Sequence, residues 1–246
     1  MLTAVLPAER LATAVDAAAT FDEECHLTIT DDGITFRGTN ETREGWVRVE
    51  VSKAAFEDFD LDGDRIDATI NLENFQRFQR LAAGTDTVQF DFDDDAGRAA
   101  LRANNVSYSF PPIVSKYVPG IPARHPPQRP VAIRFPGDAL HVPVRLAEPL
   151  TARIAIEDRQ DGNILSITAH GDDDSLEYTI HQETTEGGQI PSVEAVLALD
   201  NVTSIYDTIP NEARVRMALG EKGPIVAQFS FADGEGLARY RLEQVA

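Results

Sequence analysis

The sequence predicts an α+β chain of two similar halves, each a set of antiparallel strands carrying two helices. Three observations predict it. Leu2–Pro7 and Val131–Pro136 are both extended apolar stretches that end in proline ahead of a helix-length segment, and Pro136 follows Pro7 by 129 residues. Ile70-Asn71-Leu72-Glu73-Asn74-Phe75 corresponds to Ala198-Leu199-Asp200-Asn201-Val202, with Asn201 lying 127 residues after Asn74. Between these points, apolar and polar residues alternate with the period of two that half-buried strands require. Nearly equal offsets at distant points mean one unit of strands and helices, used twice in order.

The elements follow in sequence. Glu9 to Phe21 reads as a helix, with Leu11, Val15 and Ala18 on one stripe. His26–Thr30 alternates, Asp31-Asp32-Gly33 turns, and Ile34-Thr35-Phe36 starts the partner strand, a hairpin signal. Trp46–Val51 alternates again, and 67–70 is a short strand. Asn71 is placed to cap a helix over 72–83 that stops at Gly84. Val88–Phe92 and Ala99–Ala103 form a hairpin around residues 93–97, and Val106–Phe110 closes the first half.

Seven prolines then fall between 111 and 130. Proline fixes φ and removes a donor, so residues 115–130 read as an extended linker between an N-terminal domain, 1–114, and a C-terminal domain, 131–246. The second half repeats the order: strand 131–135, a helix-sized segment 137–150, strands 154–156, 164–168, 176–180 and 193–197, then a helix. That helix carries Val202, Ile205, Tyr206 and Ile209 on one face and is stopped by Pro210. Strands over 213–219, 224–231 and 237–242 complete it. Pro143 and Pro149 inside 137–150 predict a helix that is kinked, shifted or short, because an interior proline costs ~3 kcal/mol.

Composition narrows the class. The chain has 246 residues and a net charge of −19, with 41 acidic and 22 basic residues. Only Lys53, Lys116 and Lys222 are lysines. An acid-rich, lysine-poor chain suits high salt, where charge is screened over a few ångströms. Cys25 is alone, which excludes an internal disulfide, and its neighbours Glu23 and Glu24 disfavour a thiolate. No stretch approaches the ~20 apolar residues of a membrane helix. The expectation is a cytoplasmic protein.

No catalytic signature is present. The five histidines, His26, His125, His141, His170 and His181, show no HExxH spacing, and no GxSxG or P-loop occurs. Asp58-Phe59-Asp60-Leu61-Asp62-Gly63 matches the first half of a calcium loop, but Thr69 stands where its closing glutamate belongs. Asp91, Asp93 and Asp95 lack the required glycine at position 96. No cofactor and no metal are expected. A metal-dependent enzyme using the acidic runs is the distant alternative.

The order of elements, twice over with a proline-bearing connector, resembles the sliding clamps of the proliferating cell nuclear antigen family across essentially the whole chain. The residues that carry the resemblance are Asp22-Glu23-Glu24-Cys25 after the first helix, and Asn71-Leu72 opening a helix with Arg77 and Arg80. Ala169-His170-Gly171-Asp172 before a strand adds to it. So do Leu199-Asp200-Asn201 running to Ile209-Pro210 and the ending from Phe231-Ala232-Asp233-Gly234-Glu235-Gly236 to Tyr240-Arg241-Leu242. The resemblance is to the archaeal, halophilic type, or to a diverged or virus-encoded member. It implies a fold of two clamp domains whose helices line the inner face of a ring. It also implies a homotrimer around double-stranded DNA, sequence-independent contact, and tethering of DNA polymerase, the clamp loader and other replication and repair proteins. A clamp-like scaffold that works only in a mixed ring, or no longer loads on DNA, is the alternative.

The resemblance also assigns residues. Arg77 and Arg80, three apart opposite Phe75 and Phe78, match DNA-facing basic positions; Arg145 matches another, His141 substitutes at a further one, and Arg10 lies near the start of the first helix. Subunit contacts map to Val106, Tyr108 and Phe110 on one strand and to Leu176, Tyr178 and Ile180 on another. Tyr117, Val118 and Ile121, with Pro224 and Ile225, map to a groove for the short apolar anchors of partners. Four departures stand out. Ala12-Thr13-Ala14 lacks the usual basic residues, and Asp207 stands where one is typical. Thr39 replaces a larger apolar residue, and the ending Glu243-Gln244-Val245-Ala246 lacks the usual tail.

Overall fold

The computed structural model describes residues 1–113, 131–159, 164–181, 184–186, 193–219 and 223–245. The expected linker, 115–130, lies outside them. Among the described residues the strand and helix order is the same twice. The first run is β1(Leu2–Pro7), α1(Ala8–Ala18), β2(Glu24–Thr30), β3(Gly33–Thr39), β4(Gly45–Ser52), β5(Asp58–Leu61), β6(Arg65–Asn71), α2(Glu73–Leu81), β7(Thr87–Asp93), β8(Arg98–Ala103) and β9(Val106–Phe110). The second is β10(Val131–Pro136), α3(His141–Ala147), β11(Arg153–Arg159), β12(Ile164–His170), β13(Ser175–His181), β14(Thr184–Glu186), β15(Val193–Ala198), α4(Leu199–Tyr206), β16(Arg214–Leu219), β17(Ile225–Phe231) and β18(Gly236–Leu242). The duplication seen in the sequence is therefore a duplication of architecture, and both fold class and antiparallel pairing are as expected.

Two compact units form. One is Met1–Asn40, Val47–Ile121 and Ser230–Ala238; the other is Glu41–Trp46, Pro122–Phe229 and Arg239–Ala246. In the first, β5-β1-β7-β8-β9 make one sheet and β4, β3, β2 and β6 follow one another in a second. In the second, the strands run β13-β12-β11-β15 and β14-β10-β16-β17. These orders match position for position, β9 corresponding to β18 and β13 to β4. The described pairings are antiparallel; β1, for instance, aligns Ala4 with Phe90 of β7 and with Phe59 of β5.

Each unit buries alternate strand residues against a helix pair. In the first, Leu27, Ile29, Phe36, Val49, Ile70, Phe90 and Phe92 are buried. Phe75 of α2 sits 5.4 Å, ring to ring, from both Phe90 and Phe110. Such aromatic pairs add about 0.5–1.5 kcal/mol beyond the area they bury. In the second unit Tyr240 is fully buried and its hydroxyl lies 2.9 Å from Thr208 Oγ1, which satisfies the phenol.

Several expectations need correction. Residues 58–61, which the sequence did not mark as a strand and whose calcium-loop match already failed at Thr69, form strand β5, paired with β1. The acidic alternation is that of a strand whose Phe59 faces inward. The first helix ends at Ala18, three residues early, because Ala19 already leaves helical geometry. The segment 137–150 splits into a short 3₁₀ turn, Gly137–Leu140, and α3. Pro143 then falls in the first turn of α3, where an amide has no intrahelical acceptor, and Pro149 lies beyond its end, so neither breaks a bond. Gly137 is required here: a Cβ would meet Pro210 O at 2.4 Å. Asp207 caps α4 rather than lying within it.

Candidate nucleic-acid and assembly interface

Each unit presents a pair of helices, α1 against α2 and α3 against α4. α2 is the more polar. Asn71 caps it as expected, its Oδ1 accepting from the Glu73 amide at 2.7 Å. Phe75 and Phe78 are buried beneath, which turns Arg77 and Arg80 outward. Arg77 is not a free cation. Its Nη2 donates to Glu73 Oε1 at 3.2 Å, and its Nη1 reaches the Tyr108 hydroxyl at 3.5 Å. Glutamate one turn before arginine is the favourable order on a helix. The Glu73 hydrogen bond, then Tyr108, raises the Arg77 pKa. Arg80 makes no hydrogen bond or ion pair among the described residues, so its charge is uncommitted.

On the second pair, Arg145 Nε donates to the Tyr206 hydroxyl at 3.2 Å, and His141 packs edge-on against the same ring at 4.6 Å between centroids. That bond, with the nearby Glu148 and Asp207 carboxylates, raises the Arg145 pKa. Tyr206 itself is buried, so it acts as a fixed post for an exposed guanidinium. Arg10 has a different role: Nη1 donates to Ala55 O at 2.9 Å and Nη2 pairs with Asp233 at 2.8 Å. Its charge holds the first unit together. Asp16 of α1 is exposed and hydrogen-bonds Gln76 of α2; partial burial raises its pKa against that bond. The helix faces thus carry few cations, and Arg77 and Arg145 each lie near an acid.

Among the described residues β9 and β13 are two of the six strands that end a sheet, the others being β5, β6, β14 and β15. Val106, Tyr108, Leu176 and Tyr178 are half-exposed on the β9 and β13 edges. Phe110 and Ile180 are buried and face their own cores, because the strand period sends every second residue inward and the covering helix closes over the strand end. Beside the edges lie exposed apolar residues that the sequence reading missed. Leu81 at the end of α2 is 60% exposed, and Val142 and Leu146 on α3 are 48% and 49% exposed. α2 packs on β9 and α3 on β13. The i,i+4 spacing of Val142 and Leu146 was the available signal, hidden by the two prolines nearby.

Of the expected groove residues, Tyr117, Val118 and Ile121 lie outside the described residues. Pro224 and Ile225 are buried. Beside them the C-terminal segment is held, with Gln244 Nε2 donating to Gly223 O at 2.7 Å. Among the described residues no helix is long and apolar enough to cross a membrane, and no group of His, Cys, Asp and Glu is arranged to hold a metal.

No protein-family model matches the chain. It is 25% identical over 242 residues to the DNA polymerase sliding clamp of Natronomonas pharaonis, covering 98% of this chain and 97% of that protein. It is also 25% identical over 246 residues to that of Haloarcula marismortui, with the same coverages. Among solved structures, A. fulgidus PCNA bound to the C-terminal region of FEN-1 superposes with a TM-score of 0.88 at 16% identity, over 100% of this chain and 99% of that one. PCNA from Thermococcus kodakaraensis gives 0.87 at 15% identity, over 100% of both chains. A duplicated α+β architecture, paired helices and full-length likeness together make this chain similar in sequence to the DNA polymerase sliding clamps and give it the fold of the PCNA structures.

Proposed function

We propose that this chain is a sliding clamp, a homotrimeric ring that encircles duplex DNA in the cytoplasm and tethers a DNA polymerase and other replication proteins to it. It holds rather than transforms, and no residue is assigned to catalysis. The β9 and β13 edges carry this reading. β18 and β4 are the repeat counterparts of β9 and β13, and residues at or just beyond their ends bond to each other inside each unit. In the first, the Ser52 amide donates to Glu235 O at 2.8 Å; in the second, the Glu243 amide donates to Glu44 O at 2.7 Å. The same pairing, made between β9 of one copy and β13 of the next, is head-to-tail and closes into a ring when its rotation closes. It covers edges that would otherwise invite aggregation, and brings Leu81 toward Val142 and Leu146 of a neighbour.

In such a ring Arg80, Arg77, Arg145 and His141 face the DNA, with Arg80 the freest, and Arg10 contributes only indirectly. Phosphate contact is sequence-independent and weakens with salt. A helix face of few cations suits a clamp held by topology, and this chain's net charge of −19 suits molar salt. The test is retention on DNA after loading. A clamp stays on circular duplex through a high-salt wash and slides off once that DNA is cut. Equal retention on cut and closed DNA, or a strict monomer by light scattering at high concentration, overturns the reading. The relative from Sulfolobus tokodaii is a PCNA2-PCNA3 complex, with TM-score 0.82 and 17% identity over 98% of both chains. A monomer that assembles only with a second clamp chain would move the reading to a mixed ring.

A further inference from the structure

On the polar face of the β4, β3, β2 and β6 strands lies a group of cations that the clamp reading does not use. Arg48 is on β4, Arg37 on β3, His26 on β2 and Arg65 on β6. Two carboxylates answer them. Asp67 accepts two bonds from Arg65, one from Thr28 Oγ1 at 2.9 Å, and lies 3.3 Å from His26 Nε2. Those bonds, Arg65 foremost, hold its pKa down to about 2. Glu50 accepts from Arg48 Nη2 at 2.6 Å. Arg37, in the middle, is left with a neutral hydroxyl: its Nη2 donates to Thr28 Oγ1 at 2.6 Å. The Nε groups of both Arg37 and Arg48 are buried and have no acceptor among the described residues.

This is an unusual cost in a chain with 41 acidic residues. A half-buried guanidinium stands beside a second one, without a carboxylate of its own, and an unmet buried donor costs about 1–3 kcal/mol. We propose that Arg37 and Arg48 form a carboxylate-binding site for an extended acidic segment of a partner protein. The chemistry fits. With Nε buried and Nη2 already bonded in both, each arginine keeps one Nη1 that makes no bond among the described residues, and a charge-assisted bond from it to a carboxylate is about twice as strong as a neutral one. Side chains two apart on an extended peptide share a face about 6.6–6.8 Å apart, so aspartates at alternate positions reach Arg37 and Arg48 together. Arg65, two strands away and already saturated by Asp67, bounds the site.

The experiment uses the whole chain and a fluorescein-labelled peptide with aspartate at every second position. Binding is followed by anisotropy in molar KCl, where a Debye length of ~3 Å removes repulsion from the net charge and leaves contact pairs. Arg37→Gln should weaken binding about tenfold, the size of one lost charge-assisted bond, and Arg37→Lys should fall between. Arg98→Gln, an exposed arginine on β8, should change it less than twofold, and the melting temperature identifies any variant that fails to fold. Equal loss in Arg98→Gln, unchanged binding in a folded Arg37→Gln, or saturable binding of inorganic phosphate with none of the peptide would each overturn the proposal.

Discussion

The Tyr108 hydroxyl lies 3.5 Å from Arg77 Nη1 and donates to Asn74 Oδ1 at 2.9 Å. One side chain on an open strand edge therefore helps to set the position of an arginine on helix α2. Removing that hydroxyl should leave the strand, and so the ring, intact while freeing Arg77. In Tyr108→Phe we expect the trimer mass to persist in light scattering. Direct binding to short linear duplex, which topology does not hold, should be unchanged or tighter at low salt, with a salt slope steeper by up to about one.

Among the described residues Arg80 has no partner and Arg77 has two, so the pair should not contribute equally. Arg80→Ala should reduce polymerase stimulation more than Arg77→Ala. Removing Arg77 leaves Glu73 uncompensated but takes away a charge already spent, whereas each lost phosphate contact lowers the salt slope by about one. The slope of log affinity for short linear duplex against log salt checks the order.

The apolar residues beside the open edges make a prediction about assembly. Val142 and Leu146 are half-exposed, so replacing both by glutamate should cost the isolated chain within about 0.5 kcal/mol at each site. The same changes would bury charges in a subunit contact. Light scattering should show a folded monomer, and circular dichroism an unchanged melting profile for that monomer.

Gly137 tests the packing of the second unit. A methyl at this position meets Pro210 O at 2.4 Å and Ile209 Cγ2 at 2.9 Å, neither of which is the far end of a flexible chain. Gly137→Ala should destabilise by roughly 1–3 kcal/mol, as overpacking does, seen as a lower denaturation midpoint in molar salt.

Acid should loosen the first unit in two stages. His26 is depressed by burial and then by Arg37, so its folded pKa lies below its usual 6.5. The stability it holds by staying neutral is present above that value and is lost as pH falls below it. Asp67, held near 2 against an ordinary 3.8, contributes stability above 3.8 that is lost between there and about 2. The melting temperature should fall below pH 6.5 and again below pH 4. Asp67→Asn should abolish the second step and, by removing the carboxylate that opposes the depression of His26, deepen the first.

Much of the fold was legible in the chain itself. Periodicity and punctuation set the strands, the Asn71 cap and both interior helix stripes, because these are local consequences of side-chain spacing and turn chemistry. The repeat offset of 129 and 127 residues set the duplication. What local pattern could not say is where a helix begins when prolines lie within it. Only packing shows that Pro143 falls in a first turn, forced there by Gly137 against Pro210. Nor could it show that β5 is a strand, since its acidic alternation is that of a solvated edge and a calcium loop alike.

The candidate site divides the same way. That Arg77, Arg80 and Arg145 are exposed follows from the apolar stripes opposite them. Which of those charges is free does not, because a partner such as Tyr108, Tyr206 or Glu73 is chosen by three-dimensional approach. Arg10 reads like the others in the chain, yet it is spent on Ala55 and Asp233, the latter 223 residues away. The sequence alone determined the duplicated unit and its inward and outward faces, since these depend on periods of two and 3.6. Tertiary structure decided the open edges and the commitment of each cation, since both depend on contacts between residues that no spacing relates.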